Sequence, residues 1–261
     1  MVPPHGAPDR RPRRGAGGLD RFGGHNRGAL RQPPPMEPQR QQFIEFAVTS
    51  GVLRFGQFKT KAGRLSPYFF NAGLFDRGAR LAALGRFYAQ ALLAALQAGR
   101  LRCDMLFGPA YKGIPLVAAT AIAAADRGVD LPFAFNRKEA KDHGEGGSIV
   151  GAPLAGDVVI VDDVVSAGTS VRESVELIRA AGARPAGVLI ALDRMERAGA
   201  DDALSARSAV QEIEAMYGMP VLAMADLTDL LAFVDSTAAA AAGAAPYRSA
   251  IAAYRERYGV A

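Results

Sequence analysis

Apolar positions along this chain switch repeatedly between helical spacing and short unbroken runs. Phe43, Ile44, Phe46 and Ala47 mark an amphipathic helix over 39–49. Leu81, Leu84, Tyr88, Leu92 and Leu96 mark a longer one over 77–98. Continuous apolar runs follow at 103–107, 132–135, 157–161, 186–192 and 220–224. Runs so short and unbroken suit strands buried on both faces of a parallel sheet. Helical segments at 113–127, 169–181, 205–217 and 226–234 separate them, and 238–245, nearly all alanine, reads as a helix or linker before a last helix at 246–257. The alternation predicts an α/β fold with a doubly wound, mostly parallel sheet flanked by helices. Ligands of such sheets bind beyond the carboxyl ends of the strands, so the loops after the apolar runs are where chemistry is to be sought.

The first 36 residues break this pattern. They carry Pro, Gly and Arg with almost no aliphatic periodicity. They cannot bury enough apolar area to offset their ordering entropy, so a disordered extension is expected, with a single folded domain over 37–261. Met36, where helical character begins, is expected to be the natural start. The net charge of +5 belongs to this region: residues 1–40 hold eight arginines against Asp9, Asp20 and Glu37, and the remainder is neutral. A nucleic-acid partner for the folded part is therefore not expected. Cys103 is the only cysteine, which excludes an intramolecular disulfide. No apolar run approaches the roughly 20 residues of a membrane span.

The most specific signal is Val158-Val-Ile-Val161 followed by Asp162, Asp163, Val164, Val165, Ser166, Ala167, Gly168, Thr169 and Ser170. A buried strand ends in two acids, and a turn of small residues then opens a helix. Small residues let backbone N–H groups approach a phosphate closely, and the helix N-terminus adds dipole and hydroxyl donors. The acids do not suit a phosphate; they suit ribose hydroxyls. The plain alternative is an ordinary N-capped helix preceded by surface acids.

Three further segments carry candidate chemistry. Phe58 to Gly73 includes Lys61 and the run Ser66-Pro-Tyr-Phe69-Phe70-Asn71; its aromatics can line a flat pocket, or equally form core. Phe107-Gly108-Pro-Ala-Tyr111-Lys112-Gly113 leaves an apolar strand, with glycines that permit close approach and a lysine placed for a pyrophosphate. The polar stretch Asn136 to Gly147 holds Arg137, Lys138, Lys141 and His143 among three glycines. It reads as a mobile loop able to close over an anionic leaving group, and its composition also fits a solvated charged loop.

Together these segments resemble the orotate phosphoribosyltransferases of the type I phosphoribosyltransferase family, from about residue 36 to the C-terminus and including Asp193-Arg194-Met-Glu-Arg197. The resemblance implies the type I fold with a small hood built from N- and C-terminal segments. It implies transfer of ribose 5-phosphate from phosphoribosyl pyrophosphate to orotate, giving orotidine 5′-phosphate and diphosphate in pyrimidine synthesis. Phosphoribosyl pyrophosphate would meet Lys61, Tyr111, Lys112, Arg137, Lys138, Lys141, His143 and the stretch Asp162 to Ser170. Orotate would lie between Phe69 and Phe70, with Ser166 and Arg194 hydrogen-bonding it. Lys141, His143, Arg137, Asp162 and Asp163 would carry the catalysis. Mg²⁺ would be held mainly by substrate, with no direct protein ligand. A cytoplasmic homodimer with shared active sites is implied, with no membrane partner and no decarboxylase domain. Ser166 stands where many members have threonine; the hydroxyl is kept. Other readings are a transferase for uracil or a purine, against which the 136–147 segment and Phe69-Phe70 argue, and a regulatory RNA-binding protein on the same fold.

Overall fold

The apolar run at 157–161 becomes β6 (Asp157–Val161), and its side chains show why it is unbroken. Val158 and Ile160 enter one hydrophobic cluster and Val159 and Val161 another, on the opposite face of the sheet. Alternate residues of a strand point to opposite faces, so a strand covered on both sides has no polar positions. The computed structural model describes residues 36–60, 63–141, 147–199 and 203–260, with backbone only at 139–141 and 147. The disorder expected over 1–36 falls almost wholly outside these residues. Pro35–Ala261 forms one compact unit.

The main sheet has six strands in the order β5 (Gly147–Gly151), β4 (Phe133–Lys141), β3 (Met105–Gly108), β6, β7 (Arg184–Asp193) and β8 (Val221–Asp226). All neighbours are parallel except β4 and β5. Helices α2 (Gly78–Gln97) and α3 (Gly113–Ala125) bury Leu84, Tyr88, Leu92, Leu116 and Val117 on one face. Helices α4 (Thr169–Ala180) and α5 (Ala209–Tyr217) cover the other with Val171, Val175, Ile178 and Ile213. The doubly wound, mostly parallel arrangement is as the hydrophobic pattern predicts.

Three strands were not predicted. β1 (Leu53–Lys59) and β2 (Leu65–Phe70) form a separate antiparallel ribbon. With α1 (Pro38–Thr49) and the C-terminal α8 (Arg248–Tyr258), this ribbon makes the hood. Aromatic contacts hold it together: Tyr68 meets Tyr254 edge-on at 6.2 Å and Phe55 stacks on Tyr247 at 5.9 Å. The third is β5. Its partner β4 pairs with β3 only over Phe133–Phe135 and then runs on beside β5 alone. Residues 136–141, read from their charge as loop, are therefore strand. Asn136 and Lys141 pair with Ile149 and Gly147 of β5, and the polar sequence between them offers no apolar periodicity to reveal the strand.

Caps set two helix starts. Ser208 and Gln211 form a capping box, so α5 begins at Ala209 and not at the expected 205. Asp226 and Asp229 do the same for α6 (Leu227–Val234). The alanine-rich stretch contains a short helix, α7 (Thr237–Ala241). Among the described residues no helix is long and apolar enough to cross a membrane.

Candidate active site

The chain leaves β3 through α3 to reach β4 on one side, and leaves β6 through α4 to reach β7 on the other. Adjacent strands whose connections part in this way open a crevice at their carboxyl ends. The loops after β3 and after β6 border it.

The loop after β6 is built from the strand outward. Asp162 N–H donates to Leu189 O at 3.0 Å, and Asp163 O accepts from Ala191 N–H at 2.9 Å, so both acids remain on the ladder with β7. Val165 sinks into the α4/α5 cluster and Val164 packs against the opposite one. The loop is thus pinned on both faces of the sheet, and Ser166, Ala167 and Thr169 are left exposed. Gly168 turns the chain into α4 at φ 70°, a left-handed conformation that glycine adopts without steric cost.

The two carboxylates diverge. Asp162 Oδ1 accepts from Asp163 N–H at 2.9 Å and Oδ2 from the Ser170 hydroxyl at 2.9 Å. Its main-chain carbonyl accepts from the buried Tyr88 hydroxyl at 2.8 Å. Burial, and then the neighbouring Asp163 charge, push the Asp162 carboxyl up to about 6. Asp163 Oδ2 instead pairs with Lys112 Nζ at 2.6 Å, across the crevice from the loop after β3.

That second loop is equally constrained. A Cβ on Gly108 would lie 2.2 Å from Gly113 O, and one on Gly113 would lie 2.6 Å from Pro109 Cδ and 2.9 Å from Val161 O. The glycines let β3 and the start of α3 touch backbone to backbone. The Ala110–Tyr111 peptide is cis. Ala110 N–H donates to Asn136 Oδ1 at 2.8 Å, and the Lys138 ammonium sits 5.8 Å from the centre of the exposed Tyr111 ring. Tyr111, Lys112 and Lys138 thereby gather on one side of the crevice. Arg137 is half-buried beside them in sequence.

Two of the segments expected around the base, the one that carries Phe69 and Phe70 and the one that carries Arg194, meet at the hood. Arg194 follows β7. Its Nη2 donates to Ser66 Oγ at 3.3 Å, and its guanidinium lies 5.0 Å above the Tyr68 ring. Burial works against the Arg194 charge, but Tyr68 and Glu196 outweigh it and raise its pKa. Phe69 is half-buried and stacks on Phe58 at 5.4 Å. Phe70 belongs to the hydrophobic core, 8% exposed. Neighbouring residues of a strand face opposite ways, so these two rings do not enclose one planar ligand from a shared face. Lys61 and His143 lie outside the described residues, as does the Lys141 side chain. Sequence reasoning missed the contact of Tyr88, whose ring reads as one more member of an apolar stripe, and assigned no part to Ser66 or Glu196, although both stand in the candidate segments.

The phosphoribosyl transferase domain family matches residues 74–222. An orotate phosphoribosyltransferase of Herminiimonas arsenicoxydans is 65% identical over 225 residues, covering 86% of this chain and all of the relative. The chain belongs to the orotate phosphoribosyltransferase family. A second member, from Janthinobacterium, is 64% identical over 226 residues. The crystal structure of the Francisella tularensis orotate phosphoribosyltransferase superposes with a TM-score of 0.70 at 40% identity, covering 84% of this chain and 99% of that one. The family match takes in the loops after β3 and β6, and so both walls of the phosphoribosyltransferase crevice.

Proposed function

We propose that this protein transfers ribose 5-phosphate from phosphoribosyl pyrophosphate to N1 of orotate, forming orotidine 5′-phosphate and diphosphate for pyrimidine synthesis in the cytoplasm. The observation that carries the reading is the crevice between β3 and β6, with two buried carboxylates on one wall and a lysine on the other. The bond from ribose C1 to the diphosphate oxygen breaks as the bond to N1 forms, and the proton that N1 gives up passes to the departing diphosphate or to water. Positive charge builds on the ribose and negative charge on the leaving group, so the protein has to bind and stabilise rather than supply a nucleophile.

Asp162 and Asp163 accept the ribose hydroxyls, and the backbone from Val164 to Gly168, with Thr169 and Ser170, receives the 5-phosphate ahead of α4. Lys112 exchanges Asp163 for diphosphate when substrate enters, joined by Tyr111, Lys61, Arg137 and Lys138. Lys141 and His143 complete the cover over the leaving group, and Lys141→Ala lowers kcat far more than it weakens orotate binding. Phe69 offers its ring to orotate beside Phe70, and Ser166 and Arg194 offer their polar atoms.

Among the described residues no cluster of three His, Cys, Asp or Glu side chains could hold a metal ion. Asp162 and Asp163 are hard oxygen donors that would help to hold a Mg²⁺ ion brought in with the substrate. When bound, that ion would offset charge on the departing diphosphate.

We further propose a homodimer. An apolar groove of about 290 Å³ runs between α2 and α3, and exposes Ile122. It shares Leu81 and Pro115 with a smaller cavity that reaches Lys112, so a second copy seated there would lie next to the crevice.

Loss of orotate ultraviolet absorbance with phosphoribosyl pyrophosphate and Mg²⁺, run beside uracil, adenine and hypoxanthine, tests the reading. Turnover with orotate alone is expected. Folded protein that turns over none of the four bases would overturn it.

A further inference from the structure

Glu196 sits two residues past Arg194 and folds back onto it. Asp193 Oδ1 accepts from Met195 N–H at 2.8 Å, and Met195 takes φ 50°, a rare left-handed conformation for a side chain of its size. This reversal brings Glu196 Oε1 to 2.7 Å from Arg194 Nε and 2.5 Å from Nη2. Glu196 Oε2 lies 3.5 Å from Arg64 Nη1, and the Tyr68 hydroxyl is 3.5 Å from Oε1. The carboxylate is only 15% exposed and the Arg194 side chain 17%, so solvent screens the contact weakly. The backbone at this point is also held. Glu196 bridges Gly259, and Arg197 N–H donates to Tyr258 O at 2.8 Å.

The Arg194 guanidinium is therefore fixed in its plane by Glu196 and across its face by Tyr68. Its Nε edge is taken. Nε and Nη2 are engaged by Glu196 and Ser66. Glu196 itself has both oxygens turned to arginines. Its part is orientation.

We propose that Glu196 is a positioning residue: it holds Arg194 aimed at the base and, through Arg64, ties that aim to the ribbon that carries Phe69. This rests on the orotate reading above. An arginine released from its partner regains rotamer freedom that binding must then remove again, which weakens binding by about tenfold.

Steady-state kinetics of Glu196→Gln, with orotate and phosphoribosyl pyrophosphate varied separately, tests the role. The orotate KM is expected to rise about tenfold, with kcat and the KM for phosphoribosyl pyrophosphate within about twofold. Glu196→Asp, which keeps the charge on a shorter arm, should recover part of the loss, and serves alone if the glutamine variant does not fold. In an Arg194→Ala background, Glu196→Gln should cost nothing more for orotate, because positioning acts only through the arginine. An unchanged orotate KM, an equal rise in both KM values, or an additive loss in the double variant would each overturn the proposal. Wild-type protein runs in the same series. Absence of orotate turnover there removes the functional reading and this role together, whereas wild-type turnover with an unmoved variant removes the role alone.

Discussion

Lys112 Nζ lies 2.6 Å from Asp163 Oδ2, joining the two walls of the crevice across the point where the sheet's connections part. The lysine side chain is 54% exposed and the aspartate 8%, so the pair is open to solvent on one side only. A phosphoribosyl pyrophosphate that brings its own anion and hydroxyls has something to offer each partner, which makes the contact exchangeable.

Lys112→Ala should therefore damage catalysis more than folding. A charge-assisted contact to a departing polyanion is worth about 10²–10³-fold in rate, while leaving the buried Asp163 without its half-exposed partner costs about 1–3 kcal/mol of stability. Steady-state kinetics beside thermal melting checks both. A variant with wild-type kcat/KM for phosphoribosyl pyrophosphate would take Lys112 out of the mechanism.

Asp162 gives the reaction an acid limb. Its carboxyl is raised to about 6, so below that pH it is protonated and loses an acceptor for a ribose hydroxyl. The kcat/KM for phosphoribosyl pyrophosphate should fall about tenfold per pH unit below about 6. The stability effect has the opposite sign. The folded protein holds this proton more tightly than the unfolded chain, so the Asp162 contribution is most favourable at low pH. It declines by roughly 2–3 kcal/mol as pH rises from about 4 to about 6. Denaturant titrations across that window should show Asp162→Asn without this slope.

Gly108→Ala tests the close approach of β3 to α3. The added methyl would meet Gly113 O at 2.2 Å, and backbone cannot swing aside as a side chain can. Overpacking of this kind costs about 1–3 kcal/mol, or a melting temperature lower by about 3–10 °C. An unchanged melting temperature would mean that the loop relaxes freely.

The proposed dimer makes a prediction at Ile122. This side chain is 64% exposed on the groove between α2 and α3. Ile122→Arg places a charge where a second copy would have to desolvate it. Sedimentation should show wild type as a dimer and the variant shifted to monomer, with activity falling alongside. A wild-type monomer would exclude the shared-site arrangement.

Much of the candidate site was legible because its residues are contiguous. The stretch Asp162 to Ser170 places acids, small residues and a helix start in a fixed order, and adjacency needs no tertiary information. Lys112 was legible for the same reason, between two glycines at a strand end. Tyr88 was not: its hydroxyl reaches the Asp162 carbonyl across 74 positions, and nothing local distinguishes it from the leucines around it. Glu196 stands two residues from Arg194, but its significance depends on Arg64 and Ser66, which stand far from it in the chain.

By itself, then, the sequence determined the sheet and its covering, since burial on both faces writes itself as unbroken apolar runs. It also determined the loop that follows β6. Tertiary structure decided the rest. Edge strands such as β5 and the outer half of β4 are paired on one side only, and their sequences lack the unbroken apolar run of the central strands. The pleat of β2 sends Phe69 and Phe70 to opposite faces, and only the packing of the hood shows which of them enters the core. The aim of Arg194 is likewise set by a carboxylate, a hydroxyl and an aromatic ring that only the folded chain brings together.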